Sequence, residues 1–327
     1  LATTTADLAT PAYLLLCTFV LTKLNSNNMK IIVTGSLGHI SKPLTQELVE
    51  KGHTVTVISS NTGRQAGIEA LGATAAIGSL ADVDFLTETF TLADAVYTMV
   101  PPNNYFDHSL DLKAYYRGLG QNYVTAIEQA GVKRVVNLST IGAHLAEGSG
   151  ILIGAHDVAL MLDELPADVS ITHMRPTSFY YNLYSYVPMI KNGGAIAANY
   201  GADDIIPWVS PIDIASAVAE ELLVPFTGRK IRYVASEELT GNESAAILGA
   251  AIGMPDLKGI IVPDQDVING LVSIGMNPQI AAGLTEMYGA LHTGLLSEDY
   301  FRNRPAVMGK VKLVDFAKEF AAAFHQK

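Results

Sequence analysis

The chain has 327 residues, of which 49% are hydrophobic and 16% charged, with 28 glycines and 14 prolines spread along its length. This composition excludes a disordered, collagen-like or low-complexity protein, and at about 150 residues per domain the length allows roughly two domains around a sizeable core. A net charge of −11 repels phosphate backbones and argues against a nucleic-acid partner, while the single cysteine, Cys17, excludes an intramolecular disulfide and a cysteine zinc cluster.

Residues 1–28 read as foreign to the fold. The apolar run Ala12–Leu21 is shorter than the roughly 20 residues that span a bilayer, and only Asp7 carries charge ahead of it, so it lacks the basic region of a signal peptide. Met29 is read as the native start and 1–28 as a non-native or dispensable extension, the alternative being a weak membrane anchor. With that stretch set aside, the expectation is a cytoplasmic protein without a membrane partner.

From Met29 onward strand and helix alternate. The first strand is Ile31–Thr34, followed by a helix with Ile40, Leu44 and Leu48 on one face and Pro43 in its first turn. Further strands are predicted at Thr54–Ile58, Ala73–Ile77, Asp94–Val100, Arg134–Ser139 and Val169–Met174, the last halted by Pro176. Helices are predicted at Asp111–Ala130 and Ala155–Leu165. Strands separated by helices imply right-handed crossovers and a parallel sheet. The predicted fold is α/β, a Rossmann-type doubly wound parallel sheet over 29–178 with a smaller, mostly helical C-terminal lobe over 179–327. Within that lobe, Ile205–Val209 and Ile231–Val234 read as strands, and 231–236 can return to the main sheet.

Thr34-Gly35-Ser36-Leu37-Gly38-His39-Ile40-Ser41 joins the first strand to the first helix. Glycine permits a tight turn and close backbone approach to a pyrophosphate, and the helix N-terminus offers free N–H groups. Ser41 stands where a third glycine often sits. Residues 35–40 are therefore the expected dinucleotide-binding loop. An NAD site places an acid after the second strand to hold the ribose hydroxyls. Here the stretch is Ser59-Ser60-Asn61-Thr62-Gly63-Arg64, with no carboxylate. Ser59, Ser60 and Arg64 suit a 2′-phosphate, so NADP(H) is the expected cofactor and NAD(H) the fallback.

These segments, together with VKRVVNLSTIGAH and SITHMRPTSFYYNL, resemble the NmrA-like proteins, atypical relatives of the short-chain dehydrogenases/reductases. The resemblance covers roughly residues 29–240. It implies NAD(P)H binding more firmly than a reaction, since members include NADPH-dependent quinone reductases, triphenylmethane and azo dye reductases, and redox-sensing regulators. It also implies that Pro176-Thr177-Ser178-Phe179 lies beside the nicotinamide, with Pro176 and Phe179 as cofactor contacts.

Typical short-chain reductases use Tyr-x-x-x-Lys, yet none of the 14 tyrosines here is followed by lysine four residues later. Reduction of an electron-poor acceptor is less dependent on such an acid, because placement near the nicotinamide does most of the work. The nearest titratable candidates are His156, as a catalytic or cofactor contact, and His144, as a substrate contact. Ser139 and Thr140 end the fifth strand at the ligand-binding edge, though a hydroxyl there can equally cap a backbone group. Val100 and Pro101 are expected to pass the cofactor, and Gly78 and Ser79 to approach the adenine or form a plain turn. Tyr180, Tyr181, Tyr184 and Trp208 are the candidate acceptor pocket for a small molecule. No metal-ligand spacing occurs among the eight histidines. The leading expectation is an NADPH-dependent oxidoreductase acting on a quinone-like or conjugated acceptor. Its rival is a non-catalytic NAD(P)H sensor with a protein partner.

Overall fold

A computed structural model describes residues 28–326. The expected extension therefore lies outside the described residues except for Asn28, whose side-chain oxygen accepts hydrogen bonds from Thr54 N and Oγ1 at 3.0 and 3.1 Å.

The N-terminal part runs β1 (Lys30–Val33), α1 (Ser41–Glu50), β2 (Thr54–Ser59), α2 (Gln65–Glu69), β3 (Thr74–Ile77), α3 (Val83–Phe90), β4 (Ala95–Thr98), α4 (Leu112–Ala130), β5 (Arg134–Leu138), α5 (Ile153–Asp163) and β6 (Ser170–Pro176). The chain continues through β7 (Ser178–Phe179), a 3₁₀ segment (Tyr180–Tyr186), α6 (Val187–Gly193), β8 (Ile196–Ala198), β9 (Ile205–Val209), α7 (Pro211–Leu223) and β10 (Arg229–Val234). It ends in β11 (Glu237–Thr240), α8 (Gly241–Ile252), β12 (Gly259–Ile261), α9 (Asp264–Ser273), α10 (Pro278–His292), α11 (Glu298–Arg302) and α12 (Leu313–His325).

Seven strands form one parallel sheet in the order β3-β2-β1-β4-β5-β6-β10. The order reverses between β1 and β4, which opens a crevice beyond their C-terminal ends. Period-two alternation assigns the faces. Ile31 and Val33 join Leu44 and Leu48 of α1 and Ile214, Val218 and Leu222 of α7 on one side. Ile32 and Ile58 meet Leu86, Tyr123, Ile127, Val158 and Leu162 on the other. Leu44 and Leu48 are fully buried, each worth about 1.5–3 kcal/mol over an exposed position.

Two strand boundaries differ from expectation. β4 stops at Thr98, two residues short of Val100. β6 is not halted before Pro176 but includes it, paired in register with Val234. Proline lacks only the N–H, and the Pro176 carbonyl still accepts from Ile141 N at 2.9 Å. The main sheet also draws on both halves of the chain. α7 packs on α1, and β10 pairs with β6 along its whole length. A division at residue 178 thus does not divide the sheet.

The lobe has its own core of Tyr180, Leu183, Trp208, Leu248, Tyr300 and Phe320. No helix among the described residues is long and apolar enough to cross a membrane. Burial is the largest cause that raises the pKa of Tyr97, Tyr116, Tyr123, Tyr233, Tyr288 and Tyr300. Unfolding frees these phenols to ionise near pH 10, whereas the folded state keeps them protonated to higher pH. Their stabilisation is complete below about pH 10 and is lost as pH rises from there towards the raised folded values. Thermal melts are expected to be flat from pH 8 to 9.5 and to fall steeply above it, together with phenolate absorbance. A melting temperature unchanged at pH 11 would contradict this.

Candidate active-site cleft

The β1–α1 loop is shaped by three interlocking residues. Gly35 lies in the left-handed region at φ +87°, and a Cβ there would sit 2.5 Å from Ser41 Oγ. That hydroxyl donates to Thr34 O at 2.8 Å, so serine in the third-glycine position pins the helix to the strand and demands glycine at 35. Ser36 is also left-handed, at φ +56°; its N–H donates to Ile58 O and its hydroxyl bonds Ser59 Oγ at 2.9 Å. α1 then starts without a side-chain cap. Among the described residues, no hydrogen bond takes up the backbone N–H groups of His39, Ile40 and Ser41. An uncapped N-terminus with free donors is a site for an anion.

This loop forms one end of a cleft of about 840 Å³ along the C-terminal edge of the sheet. Gly35, Gly38, His39, Ile40 and Arg64 line that end. Val100, Pro101, Ser139 and Thr140 line the middle, and Phe179, Tyr181 and Trp208 line the lobe side. Among the described residues no carboxylate and no lysine lines the cleft, although the chain carries a net charge of −11. Arg64 is exposed, and among the described residues it has no ion-pair partner. Its guanidinium is thus free for a bidentate anion contact.

Strand ends are held by tyrosines of α4. Tyr123 donates to Met99 O at 2.6 Å, and Tyr115 to Pro101 O at 3.1 Å. Asn137, in the cleft floor, is oriented by a lateral ladder. Thr98 Oγ1 donates to its Oδ1 at 3.1 Å, and its Nδ2 donates to His173 Nδ1 at 3.2 Å. His173 Nε2 donates in turn to Asp163 Oδ1 at 3.0 Å, which fixes the tautomer. Ser139 Oγ is buried at the cleft edge, and among the described residues it has no hydrogen-bond partner and caps no backbone group. His39 stacks on Tyr181 with ring centroids 4.9 Å apart, and Tyr181 packs against Phe179 at 5.1 Å. Burial pushes the Tyr181 phenol up to about 12.

Other predicted site residues stand elsewhere. Leu37 and Pro176 flank lining residues without lining the cleft themselves. Ser59 is buried as a brace for the loop, and Ser60 is exposed beside it. Gly78 and Ser79 form a turn: Gly78 N donates to Ser59 O, and a Cβ on Gly78 would meet the Phe85 ring at 2.6 Å. Tyr180 and Tyr184 belong to the lobe core and not to an acceptor pocket. Tyr180 OH donates to Glu237 at 2.7 Å, and Tyr184 stacks on Phe320. His156 holds Ala143 O at 3.0 Å through Nδ1, outside the lining. His144 lies behind the wall, 3.8 Å from Glu298, and burial lowers its pKa.

The cleft also gathers residues that carry no local sign of a site. Tyr105, Tyr116, Tyr186, Tyr200, Met287 and Tyr288 come from five separate elements or loops. Each reads locally as ordinary helix-face or loop apolar material, and only the tertiary fold brings them together. Among the described residues no cluster of three or more His, Cys, Asp or Glu side chains has the geometry to hold a metal ion.

A family model described as the NmrA-like family matches residues 27–294. A (4-alkanoyl-5-oxo-2,5-dihydrofuran-3-yl)methyl phosphate reductase of Streptomyces griseus is 24% identical over 229 residues, covering 69% of this chain and 74% of that protein. The triphenylmethane reductase of a Citrobacter species superposes with a TM-score of 0.73 at 19% identity, covering 89% of this chain and 99% of the other. An NADPH-dependent quinone oxidoreductase of Escherichia coli, solved with NADPH, also gives 0.73 at 18% identity, covering 88% and 99%. Likeness at this level of identity establishes a shared fold.

Proposed function

Because the chain belongs to the NmrA-like family, we propose that it is an oxidoreductase that uses NADP(H), in preference to NAD(H), to reduce a quinone-like or other conjugated small molecule. The carrying observation is the polarity of the cleft. Among the described residues, one end offers unpaired backbone N–H groups and Arg64, the other is aromatic and apolar, and no carboxylate lies between. A dinucleotide phosphate fits the first end and a flat uncharged acceptor the second. The three proteins described above are reductases or an oxidoreductase by name, which supports the same class.

When bound, the nicotinamide supplies the hydride. The chain's own residues do the rest. The β1–α1 loop holds the diphosphate through backbone donors, and Arg64 holds the 2′-phosphate. Ser139 offers an uncommitted hydroxyl at the sheet edge. Tyr181 and Phe179 cover the cleft from the lobe and exclude water.

Arg64→Ala is expected to weaken NADPH by about tenfold to a hundredfold and to leave NADH within about twofold, since a charge-assisted bond to phosphate contributes roughly 1.5–3 kcal/mol. Parallel fluorescence titrations read this, and equal losses for both cofactors would remove Arg64 from the site. Acceptor-dependent oxidation of NADPH by a panel of quinones tests the activity itself. A second reading, a dinucleotide-sensing regulator, draws on the absence of Tyr-x-x-x-Lys. A tight NADPH complex that turns over with no acceptor would support that reading and overturn the enzyme.

A further inference from the structure

We infer that the hydroxyl pair of Tyr186 and Tyr200 is the oxygen-recognising end of the acceptor site, donating one hydrogen bond to a carbonyl oxygen of a flat aromatic acceptor. The inference rests on the acceptor reading of the cleft and deepens it.

Tyr186 closes the 3₁₀ segment and Tyr200 follows β8, and their hydroxyl oxygens lie 2.9 Å apart. Each phenol has one proton to give. The bond between them uses one of the two, so one O–H is left with no protein acceptor among the described residues. Both side chains line the cleft, as do Trp208, Met287 and Tyr288. Tyr288 stacks on Tyr200 with centroids 4.8 Å apart, which fixes the ring that carries one hydroxyl.

The surroundings select the ligand chemistry. Among the described residues Arg64, read above as a cofactor contact, is the one Lys, Arg, Asp or Glu that lines the cleft, so a charged acceptor would be stranded beside the tyrosine pair. Burial is the largest cause that raises the pKa of both phenols, so the pair stays neutral and protonated at ordinary pH. A buried donor without a partner is costly, and a ligand oxygen removes that cost. A hydrocarbon of the same shape does not. The pair thus discriminates by oxygen, while the aromatic walls discriminate by shape. It requires no proton transfer from tyrosine. The hydrogen bond polarises the carbonyl and holds it in place as negative charge develops on the oxygen.

Trp208 is the chain's single tryptophan and lines the cleft, so its fluorescence reports occupancy. The experiment compares 1,4-naphthoquinone with naphthalene on the wild type and on Y186F/Y200F. The wild type is expected to favour the quinone, and the double variant to lose about tenfold in quinone affinity, the size of one buried hydrogen bond, with naphthalene unchanged. NADPH affinity serves as the fold control and is expected to hold. An unchanged quinone affinity, or equal losses for both ligands, would overturn the inference and leave the cleft's function standing. Neither ligand binding a wild type that still binds NADPH would instead overturn the acceptor reading beneath it. Infrared difference spectra of the quinone on the wild type supply a measurement that needs no variant. A downshifted carbonyl stretch is expected, and an unshifted one would overturn the inference.

Discussion

Replacing Gly38 by aspartate is expected to abolish NADPH binding while the protein stays folded. Gly38 N–H donates to Gly35 O at 3.0 Å, and its carbonyl receives Lys42 N at 3.0 Å, so it bridges the loop and the first turn of α1. A Cβ on Gly38 would stand 3.0 Å from Gly35 O, a contact the loop relieves by shifting a few tenths of an ångström. Bulk is therefore the smaller effect. Charge is the larger one, because the new carboxylate lies beside the free N–H groups of His39, Ile40 and Ser41. It accepts the donors meant for a diphosphate and repels the diphosphate as well. Two like charges about 4 Å apart repel by roughly 4 kcal/mol at an effective dielectric of about 20, on the order of a thousandfold in affinity.

Gly38→Ala separates the two contributions. It carries the Cβ without the charge, and its loss of affinity is expected to stay below about tenfold. Titration of both variants, with thermal melts to confirm folding, reads the outcome. An aspartate variant that binds NADPH as the wild type does would remove the β1–α1 loop from the cofactor site.

The elements legible in the sequence are those whose signal is local. Ile31-Ile32-Val33 alternates between the two faces of the sheet, and Ile40, Leu44 and Leu48 recur at helical spacing, so β1 and α1 stand close to their predicted places. The glycine loop was legible for the same reason, since its turn, its strand and its helix adjoin in sequence. The tyrosine run was not. Seven residues from Tyr180 to Tyr186 form a 3₁₀ segment, and its tighter turn changes which rings point together. Tyr180 goes to the lobe core while Tyr181 and Tyr186 reach the cleft. The place of His156 after the fifth strand marks it as a candidate, yet the turn at Ala143 takes its ring nitrogen. The cleft walls from α10 were invisible for a plainer reason. Met287 and Tyr288 are apolar residues on an amphipathic helix, and their partners on the β5–α5 loop lie more than a hundred residues earlier.

That long-range wall yields the second large effect, at Gly150. This residue opens the 3₁₀ turn before α5 at φ +55°, and a Cβ there would stand 1.9 Å from Gly283 O and 2.8 Å from Met287 N, both backbone atoms of α10. Backbone cannot rotate away as a side chain can, so Gly150→Ala must push α10 from the loop. The same contact sets the cleft wall, because Ile151 and Leu152 line one side and Leu284 and Met287 the other. The expected cost is roughly 3–5 kcal/mol, from a disfavoured φ together with overpacking. Urea unfolding measures it. Gly131→Ala isolates the first contribution: Gly131 has φ +71° as the C-cap of α4, but nothing lies within 4 Å of its Cβ position. It is expected to lose only about 1 kcal/mol. Similar losses at the two positions would mean that the loop and α10 are not in rigid contact. A larger loss at Gly150, accompanied by weaker naphthoquinone binding and unchanged NADPH binding, would tie that contact to the acceptor end of the cleft alone.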